Sequence, residues 1–218
     1  MVNFSVQTTG SAHDAAVLAD AAFFRAAGMA VHWLRERSKA PIEAGWSEAP
    51  VLTAAELAAT HRGGNNLGVR LGEPSLLASA WYLHVIDMDI RVADLADEAW
   101  DALTDLFPGV DFDELPCVQS GSGGESRHLY LLTDTPFRSK KLWVSDGKHR
   151  TFDKLKGRDV WHYDAEIELF GTGKQVALPP SIHPDTGKPY LWLRQFDFEL
   201  LDLGIGPFLP SAAIERLS

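Results

Sequence analysis

The sequence predicts an α+β fold, and three features of the chain lead to that class. Segments with helical spacing and strand-like segments alternate through the first half, the second half consists mostly of strands, and no internal repeat or low-complexity linker interrupts them. With 218 residues, of which 45% are hydrophobic and 23% charged, the chain can form one domain with a sizeable core or two small domains.

Helices are predicted where apolar residues recur at helical spacing behind a suitable N-cap. The alanine-rich segment near the N-terminus begins at Ser11 and ends at Gly28. Thr53 and Glu56 have the spacing of a capping box ahead of a second helix. Residues 93–107 form an amphipathic third helix, and a fourth, shorter helix is predicted near the C-terminus.

Strands are predicted in the apolar runs between these helices. The long central strand is WYLHVIDMDI, residues 81–90, and PCVQS and HLYLLT flank a glycine-rich loop. The other predicted strands are MAVHWL, NLGVRLG, residues 164–170, KQVALPP and PYLWLRQ.

The central strand ends in two acids, Asp87 and Asp89, where an apolar side chain would be expected. Alternate residues of a strand share a face, so the two carboxylates are neighbours and repel each other. Burying such charges is costly unless they are compensated, and a divalent cation is the simplest compensation. The alternative is a strand that runs out into solvent, where Asp is common.

Net charge restricts the partners that the chain can bind. The overall charge of −10 argues against a protein that coats nucleic acid by bulk charge. Residues 138–158, however, hold eight Lys or Arg against two Asp, a local charge of +6 on an acidic body. This segment is either a contact for a phosphate backbone or a solvated basic loop.

Three further motifs carry polar side chains at strand ends. SGSGGESRHLYL, residues 120–131, allows backbone amides to approach an anion, with Arg127 and His128 at its edge. Glu166 and Glu168 share one face of a strand and offer the oxygen ligands that Mg²⁺ and Mn²⁺ prefer. In KQVALPPSIHPDTGKPY, residues 174–190, the proline pair makes a rigid loop that could hold Ser181 and His183 against a ligand. Each motif also has an ordinary structural explanation, as a hairpin turn or a solvated strand face.

These motifs occur together in one order: Lys39-x-Pro41 with Gly45-Trp46, NLGVRLGEPS, hydrophobic-Asp87-x-Asp89, Ser-Gly…Gly-Gly…His128, and Glu168 eleven residues before Pro179-Pro180-Ser181-x-His183-Pro184. The set resembles the primase–polymerase (prim-pol) domain of the archaeo-eukaryotic primase superfamily. It is most similar to the N-terminal domain of bifunctional DNA primase/polymerases in plasmid, phage and prophage replication proteins. The resemblance covers roughly residues 15–195.

The resemblance implies an RRM-like mixed β-sheet catalytic core with flanking helices and a smaller α/β lobe. We expect residues 1–218 to form a single catalytic domain, with the core at about 15–195 and a C-terminal helix and tail at 196–218. The implied function is that of a nucleotidyltransferase, with DNA primase or DNA polymerase activity in replication of a mobile element. The implied ligands are a DNA template and primer, a dNTP or NTP, and two divalent metal ions, Mg²⁺ or Mn²⁺.

Site residues follow from matching positions. Asp87, Asp89 and Glu168 match the family's metal-binding acids, with Glu166 as a substitute for Glu168, and His128 matches the histidine that contacts the triphosphate. The predicted nucleotide-binding residues are Lys39, Ser120, Gly121, Gly123, Gly124, Arg127, His128, Lys174, Ser181 and His183, with Arg70 as a further phosphate contact. The basic segment 138–158, and not the resemblance, supplies the predicted nucleic-acid-binding residues Lys140, Lys141, Lys148, Arg150, Lys154 and Lys156.

Two alternatives stay open at this stage. A phosphatase-like hydrolase would use D-x-D at the end of a strand in a parallel sheet, with Asp87 as the nucleophile. A non-catalytic replication module would keep the fold and bind nucleic acid or a partner.

The remaining expectations concern setting and partners. No apolar run approaches the ~20 residues of a membrane span, and no signal peptide is visible, so we expect a cytoplasmic protein without a membrane partner. The one cysteine, Cys117, cannot form an internal disulfide, which fits a reducing compartment. No P-loop motif is visible, so we expect a helicase domain or subunit to lie elsewhere.

Overall fold

The computed structural model describes residues 11–153 and 157–216, and it confirms the α+β class. The helices are α1 (Ala12–Ala26), α2 (Ala54–Thr60), α3 (Ala96–Leu106), α4 (Phe198–Asp202) and α5 (Ser211–Glu215). The strands are β1 (Ala30–Leu34), β2 (Asn66–Arg70), β3 (Gly72–Leu77), β4 (Trp81–Ile90), β5 (Cys117–Gln119), β6 (Arg127–Thr133), β7 (Lys140–Val144), β8 (Lys148–Asp153), β9 (Arg158–Tyr163), β10 (Ala165–Phe170), β11 (Gln175–Leu178) and β12 (Leu191–Arg194).

Capping boxes fix the start of the first two helices, as the sequence predicts for α2. Ser11 accepts a hydrogen bond from the Asp14 amide, and the Asp14 carboxylate accepts one from the Ser11 amide. Thr53 and Glu56 make the same reciprocal pair at α2. Each cap satisfies amides that the helix leaves unpaired, which stabilises the helix by about 1 kcal/mol.

The strands form two main sheets and a separate ribbon. The larger sheet has seven strands in the order β12-β5-β6-β4-β10-β7, with β3 paired to the first part of β4. The smaller sheet has the order β1-β2-β11, and β8 pairs only with β9. Every strand ladder of the described residues is antiparallel, so the parallel sheet required by the phosphatase-like alternative is not present there.

Two apolar clusters lie on opposite faces of the seven-stranded sheet. One face of β4, with Leu83 and Val85, packs in a cluster that includes α1 and the three-stranded sheet. The other face, with Ile86 and Met88, packs against α3 and α5. The strict alternation of β4 between two cores is what brings its odd-numbered residues beyond Val85 to the gap between the sheets.

The structure differs from the sequence-based expectation in the segment 138–158. The sequence predicted no strand in this segment, which was considered as either a DNA contact or a solvated basic loop. In the structure, β7, β8 and the first residue of β9 occupy most of it. The apolar residues of these strands do not alternate regularly with polar ones, so no hydrophobic period marks the strands. The short strand β3 is also absent from the prediction. Among the described residues, none of the helices is long and apolar enough to cross a membrane.

Candidate functional site

A polar cleft of about 370 Å³ lies between the two main sheets. Side chains from both sheets and from the loops beside them form its walls: Lys39, Asp87, Met88, Asp89, Arg91, Ser120, Ser122, Ser126, His128, His162, Phe170, Gln175, Val176, Ala177, His183, Asp185 and Tyr190. A larger cavity of about 620 Å³ lies on the other side of the seven-stranded sheet, but its walls are mainly apolar. The concentration of ionisable groups therefore singles out the smaller cleft.

The acids of β4 face this cleft. Asp87 and Asp89 are partly buried and point away from the α3 side, where Met88 and Ile90 are buried in the second core cluster. The same alternation carries Arg91, two residues beyond Asp89, toward the cleft. One strand and its extension thus supply two carboxylates and a guanidinium to a single surface.

The strands on either side of β4 place polar residues directly opposite its acids. His128 of β6 pairs in register with Asp87, and its Nε2 lies 3.4 Å from Asp87 Oδ1. On the other side, Glu168 of β10 is opposite Asp87, and Glu166 is opposite Asp89. Side chains directly opposite each other in an antiparallel pair are neighbours on one face. Four carboxylates on two adjacent strands, with a histidine on a third, therefore share this face of the sheet, and of these five residues Asp87, Asp89 and His128 line the cleft itself.

Basic side chains neutralise three of these four acids. Arg91 binds Asp89 and also donates to Glu166 Oε1 at 3.0 Å, and Lys141 binds the other oxygen of Glu166. Lys174 lies 3.5 Å from Glu168. Among the residues that the structure describes, Asp87 alone of the four has no lysine or arginine within ion-pair distance.

The unneutralised acid is strongly perturbed. Burial raises the pKa of Asp87 to about 7, and the charge of Asp89 contributes to that rise, while Lys39 opposes it. Glu166 behaves differently. Burial raises its pKa, but hydrogen bonds from Lys141 and Arg91 outweigh burial and leave the pKa below its ordinary value. The surroundings of Asp87 therefore disfavour its ionised form, whereas those of Glu166 favour ionisation.

His128 is a buried neutral imidazole. Burial, with a smaller effect of the Lys39 charge, lowers its pKa to about 3. Its Nδ1 is buried and has no hydrogen-bond partner among the described residues. The ring packs near Tyr190, with the two ring centres 5.9 Å apart. An unpaired polar atom in a cleft costs free energy, so this nitrogen is suited to a ligand.

Lys39 enters the cleft opposite the acids. Partial burial lowers its pKa, but Tyr190, Asp87 and Asp89 outweigh that effect, so the pKa of the ammonium lies above its ordinary value. The hydroxyl of Tyr190 is buried close to Lys39 and Ser120, but it makes no hydrogen bond of normal geometry with any group of the described chain. A cation and an unpaired hydroxyl thus face the anionic side of the site.

The glycine-rich loop is folded on itself. The amides of Ser120 and Gly123 donate to carbonyls within the loop, and the Ser122 amide donates to the Ser120 hydroxyl. These three amides do not form the anion-binding nest that the sequence predicts, because their hydrogens are already bonded. Gly121 has a packing role, since a Cβ there would lie 2.6 Å from the Cβ of His183.

Two predicted ligand residues, Ser181 and His183, follow the cis Pro179-Pro180 bond, and their side chains have different surroundings. Ser181 is fully buried, and its hydroxyl accepts from the Leu67 amide at 2.8 Å and donates to the Leu67 carbonyl at 2.9 Å. The side chain therefore ties this loop to β2, and Ser181 is not among the residues that line the cleft. His183 does line the cleft.

Three predicted phosphate contacts point elsewhere. Arg127 lies opposite Met88, on the face away from His128, and its guanidinium binds loop carbonyls and Glu125. Arg70 donates to the carbonyls of residues 47 and 49. Lys174 is taken up by Glu168 and borders a neighbouring cavity of about 250 Å³. In each case the sequence shows the charge but not the group that engages it.

The predicted nucleic-acid contacts are distributed over strands at the edge of the molecule. Lys140 and Lys141 are on β7, and Lys148 and Arg150 are on β8. Lys141 is engaged by Glu166, and Arg150 binds Asp159. Lys154 and Lys156 lie outside the described residues.

Two cleft residues with a place in the site described above, Arg91 and Tyr190, were not among those identified from the sequence. Arg91 continues the alternation of Asp87 and Asp89, and that spacing could have identified it. Tyr190 follows the turn that the bridge between Ile182 and Pro189 closes. The sequence offers that turn, but it has no local signal that the Tyr190 side chain lines the cleft.

The acids of the cleft do not form a closed metal site on their own. Within residues 11–153 and 157–216, no three His, Cys, Asp or Glu side chains converge closely enough to hold a metal ion by themselves. The carboxylates offer the right donor atoms, but basic side chains occupy part of their coordinating capacity. Further oxygen donors would have to come from a ligand or from water.

A family model described as bifunctional DNA primase/polymerase, N-terminal, matches residues 21–204. No curated protein matches the chain. The matched range contains every residue of the polar cleft.

Proposed function

The chain belongs to the family of bifunctional DNA primase/polymerase N-terminal domains, and we propose that its polar cleft catalyses template-dependent nucleotidyl transfer. The observation that carries this proposal is the position of Asp87 between His128 and Glu168 on adjacent strands, with no lysine or arginine in the described chain within ion-pair distance of it. The family indicates a DNA primase or polymerase role in replication, and the cleft supplies the ionisable groups for such a reaction.

Asp87, Asp89 and Glu168 would hold Mg²⁺ or Mn²⁺ in this site. Carboxylate oxygens are the donors that these ions prefer. The excess negative charge that helps to raise the pKa of Asp87 is the charge that a divalent cation would offset. Since the acids do not converge as a closed set, substrate phosphate oxygens and waters would complete the coordination. When bound, two such ions stabilise the attacking and leaving oxygens of an in-line displacement.

The chain's own residues bind and orient the nucleotide. The Lys39 ammonium, opposite the acids, offsets phosphate charge, and the unpaired Tyr190 hydroxyl offers a hydrogen bond beside it. Charge stabilisation in a partly enclosed cleft is stronger than in bulk water. The nucleophile would be the 3′-hydroxyl of a primer, or of a first nucleotide in priming.

His128 has one proton to give. In a neutral imidazole a single nitrogen is a donor, so the residue donates either to Asp87 through Nε2 or to a ligand through Nδ1, but not to both at once. If Asp87 is ionised, Nε2–H is held by the carboxylate and Nδ1 accepts. If a triphosphate approaches, its charge favours protonation of the ring and both nitrogens become donors.

We propose further that the whole chain is one catalytic domain. It would act in the replication of a plasmid, phage or prophage. Two observations support a single unit. The first core cluster extends from Val17 in α1 to Leu201 in α4, and the second includes Ile214 in α5. The segment beyond residue 195 is therefore packed into the same cores as the cleft strands.

The experiment is extension of a labelled primer on a DNA template with dNTPs and Mn²⁺, resolved on a gel. Wild type is compared with the Asp87→Asn, Asp89→Asn variant and with a control, Asp101→Asn, Asp105→Asn, whose acids are exposed on α3 across the sheet. Extension by wild type and control but not by the cleft variant supports the proposal. Equal extension by all three, or DNA binding without any extension, overturns it, and the latter result would favour the non-catalytic module.

A further inference from the structure

The β8–β9 ribbon carries a surface that the proposed reaction does not use. Its strands pair with each other and with no other strand of the described chain. The register sets Lys148 opposite Tyr163, Arg150 opposite Trp161, and Phe152 opposite Asp159. Since opposite and alternate residues share a face, these six side chains lie on one side of the ribbon.

Two large aromatic side chains on this face are exposed to solvent. Trp161 is 64% exposed and Phe152 is 62% exposed, whereas most other aromatic side chains of the described chain are buried or half-buried. The two are diagonal neighbours across the ladder, within reach of a common ligand. Exposed aromatic rings at adjacent positions have a hydration cost that a bound ligand would remove.

Two basic side chains, Lys148 and Arg150, lie on the same face as these rings. Lys148 lies over the Tyr163 ring, 4.2 Å from its centre, and no described acid forms an ion pair with it. Lys141 also approaches that ring, at 5.0 Å. Arg150 binds Asp159 but remains 59% exposed. The face therefore combines aromatic surface with positive charge, on a protein whose net charge is −10.

The opposite face of the ribbon leads into the polar cleft. His162, on that face, lines the cleft. His149 lies across the ladder from it and is held by Asp164, with 2.7 Å between Nδ1 and Oδ1. A strand of nucleic acid lying on the aromatic face would therefore be separated from the cleft by the thickness of the ribbon. Lys141, which approaches the Tyr163 ring on the aromatic face and also binds Glu166, connects that face to the proposed site of nucleotidyl transfer.

We propose that the aromatic face of the β8–β9 ribbon binds single-stranded DNA, with unpaired bases stacked on Trp161 and Phe152 and phosphates neutralised by Lys148 and Arg150. This inference rests on the proposed function, for which the strand is the template ahead of the primer terminus. Exposed rings interleaved with basic residues suit single strands, because unpaired bases offer a free π-face. In a duplex those faces are stacked on one another.

The test compares strands with and without bases. Fluorescence anisotropy measures binding of a labelled oligothymidine and of an abasic strand of the same length, each over a range of salt concentrations. The aromatic variant is Trp161→Ala, Phe152→Ala, and the charge variant is Lys148→Gln, Arg150→Gln. Phe23→Ala removes a half-exposed ring on α1 and is the matched control. Trp161→Phe tests whether a smaller ring retains binding.

We expect the aromatic variant to bind oligothymidine at least about fivefold more weakly and the abasic strand as wild type does. The charge variant weakens binding to both strands and reduces the slope of log affinity against log salt by about 0.7 for each phosphate that is no longer neutralised. Trp161→Phe retains most of the affinity, and Phe23→Ala has no effect.

Unchanged oligothymidine affinity in the aromatic variant would overturn the inference, as would failure of wild type to bind either strand at low salt. Primer extension measured on the same preparations separates the two proposals. If wild type extends the primer and the ring substitutions leave oligothymidine affinity unchanged, the proposed transfer site is supported and the proposed stacking surface is contradicted. If the ring substitutions weaken oligothymidine binding but wild type does not extend the primer, the stacking surface is supported and the transfer site is contradicted. Thermal unfolding of each variant verifies that the fold is retained.

Discussion

His128 lies directly opposite Asp87 in the β4–β6 ladder, and burial reverses the usual order of their pKa values. In water an aspartic acid loses its proton well before a histidinium does. Here the pKa of Asp87 is about 7 and that of His128 about 3, because burial disfavours both charged forms. Between these values the contact joins a protonated acid and a neutral imidazole rather than an ion pair.

Asp87→Asn is expected to stabilise the metal-free protein at alkaline pH. The folded-state pKa of Asp87 exceeds its unfolded value of 3.8, so its contribution to stability is present below that value and is lost as the pH rises through about 7. At about pH 8 the variant should be more stable by on the order of 1 kcal/mol, a figure that allows for the partial exposure of the side chain. Near pH 5 the difference should be much smaller.

Thermal or urea unfolding in a chelating buffer at both pH values measures this difference. His128 contributes a pH dependence of opposite sign, since its folded pKa lies below its unfolded value. Its contribution is common to wild type and variant and largely cancels in the comparison. A variant that is less stable at the higher pH would contradict the raised pKa of Asp87.

Glu168 and Glu166 should differ in their effect on nucleotidyl transfer. Both oxygens of Glu166 are engaged by Arg91 and Lys141, whereas Glu168 is opposite Asp87 with one long contact to Lys174. Glu168→Gln should reduce primer extension at least about a hundredfold, and Glu166→Gln by less than about tenfold. Steady-state rates at saturating Mn²⁺ measure both. The reverse order would identify Glu166 as the third acid.

Lys39→Gln should weaken nucleotide binding more than Tyr190→Phe does. Loss of the ammonium removes a cation that faces the acids of β4 and should raise KM for the nucleotide roughly tenfold, with a smaller change for Lys39→Arg. Loss of one hydroxyl should raise KM by about two- to fivefold. Titration of extension rate against dNTP concentration separates these values. An unchanged KM in Lys39→Gln would exclude a phosphate contact.

Ser181→Ala should lower stability without changing KM for the nucleotide. The substitution removes the two hydrogen bonds to the Leu67 backbone and leaves those groups buried and unpaired. The expected cost is about 1–3 kcal/mol in the free energy of unfolding. Both quantities, KM and the free energy of unfolding, are compared with those of His183→Ala, which changes a side chain in the cleft. A higher KM in Ser181→Ala at unchanged stability would restore Ser181 as a ligand.

The sequence predicted side-chain positions best where they depend on a single strand. The ten residues of β4 show both the apolar alternation and its replacement by acids, so the strand, its faces and the position of Asp87 and Asp89 follow from local pattern. The capping box at Thr53 was equally local. These features need no knowledge of what packs around them.

Side-chain partners were not predictable in the same way. The hydroxyl of Ser181 is bonded 114 positions away along the chain, and Arg70 is held by loop carbonyls that precede its strand. The strands β8 and β9 lie outside both cores, so burial imposes no hydrophobic period on them. Propensity and spacing carry no information about contacts of this kind.

The position of β4 within its sheet also sets how the molecule should respond to isotope exchange. Strand β4 is hydrogen-bonded on both sides along the segment that carries Asp87, whereas β8 and β9 pair only with each other. Amide hydrogens around Asp87 should exchange with deuterium among the last in the protein, and those of the β8–β9 ribbon among the first. The acids thus lie on a strand whose backbone is protected on both sides, while the aromatic face lies on a two-stranded ribbon whose backbone opens more readily.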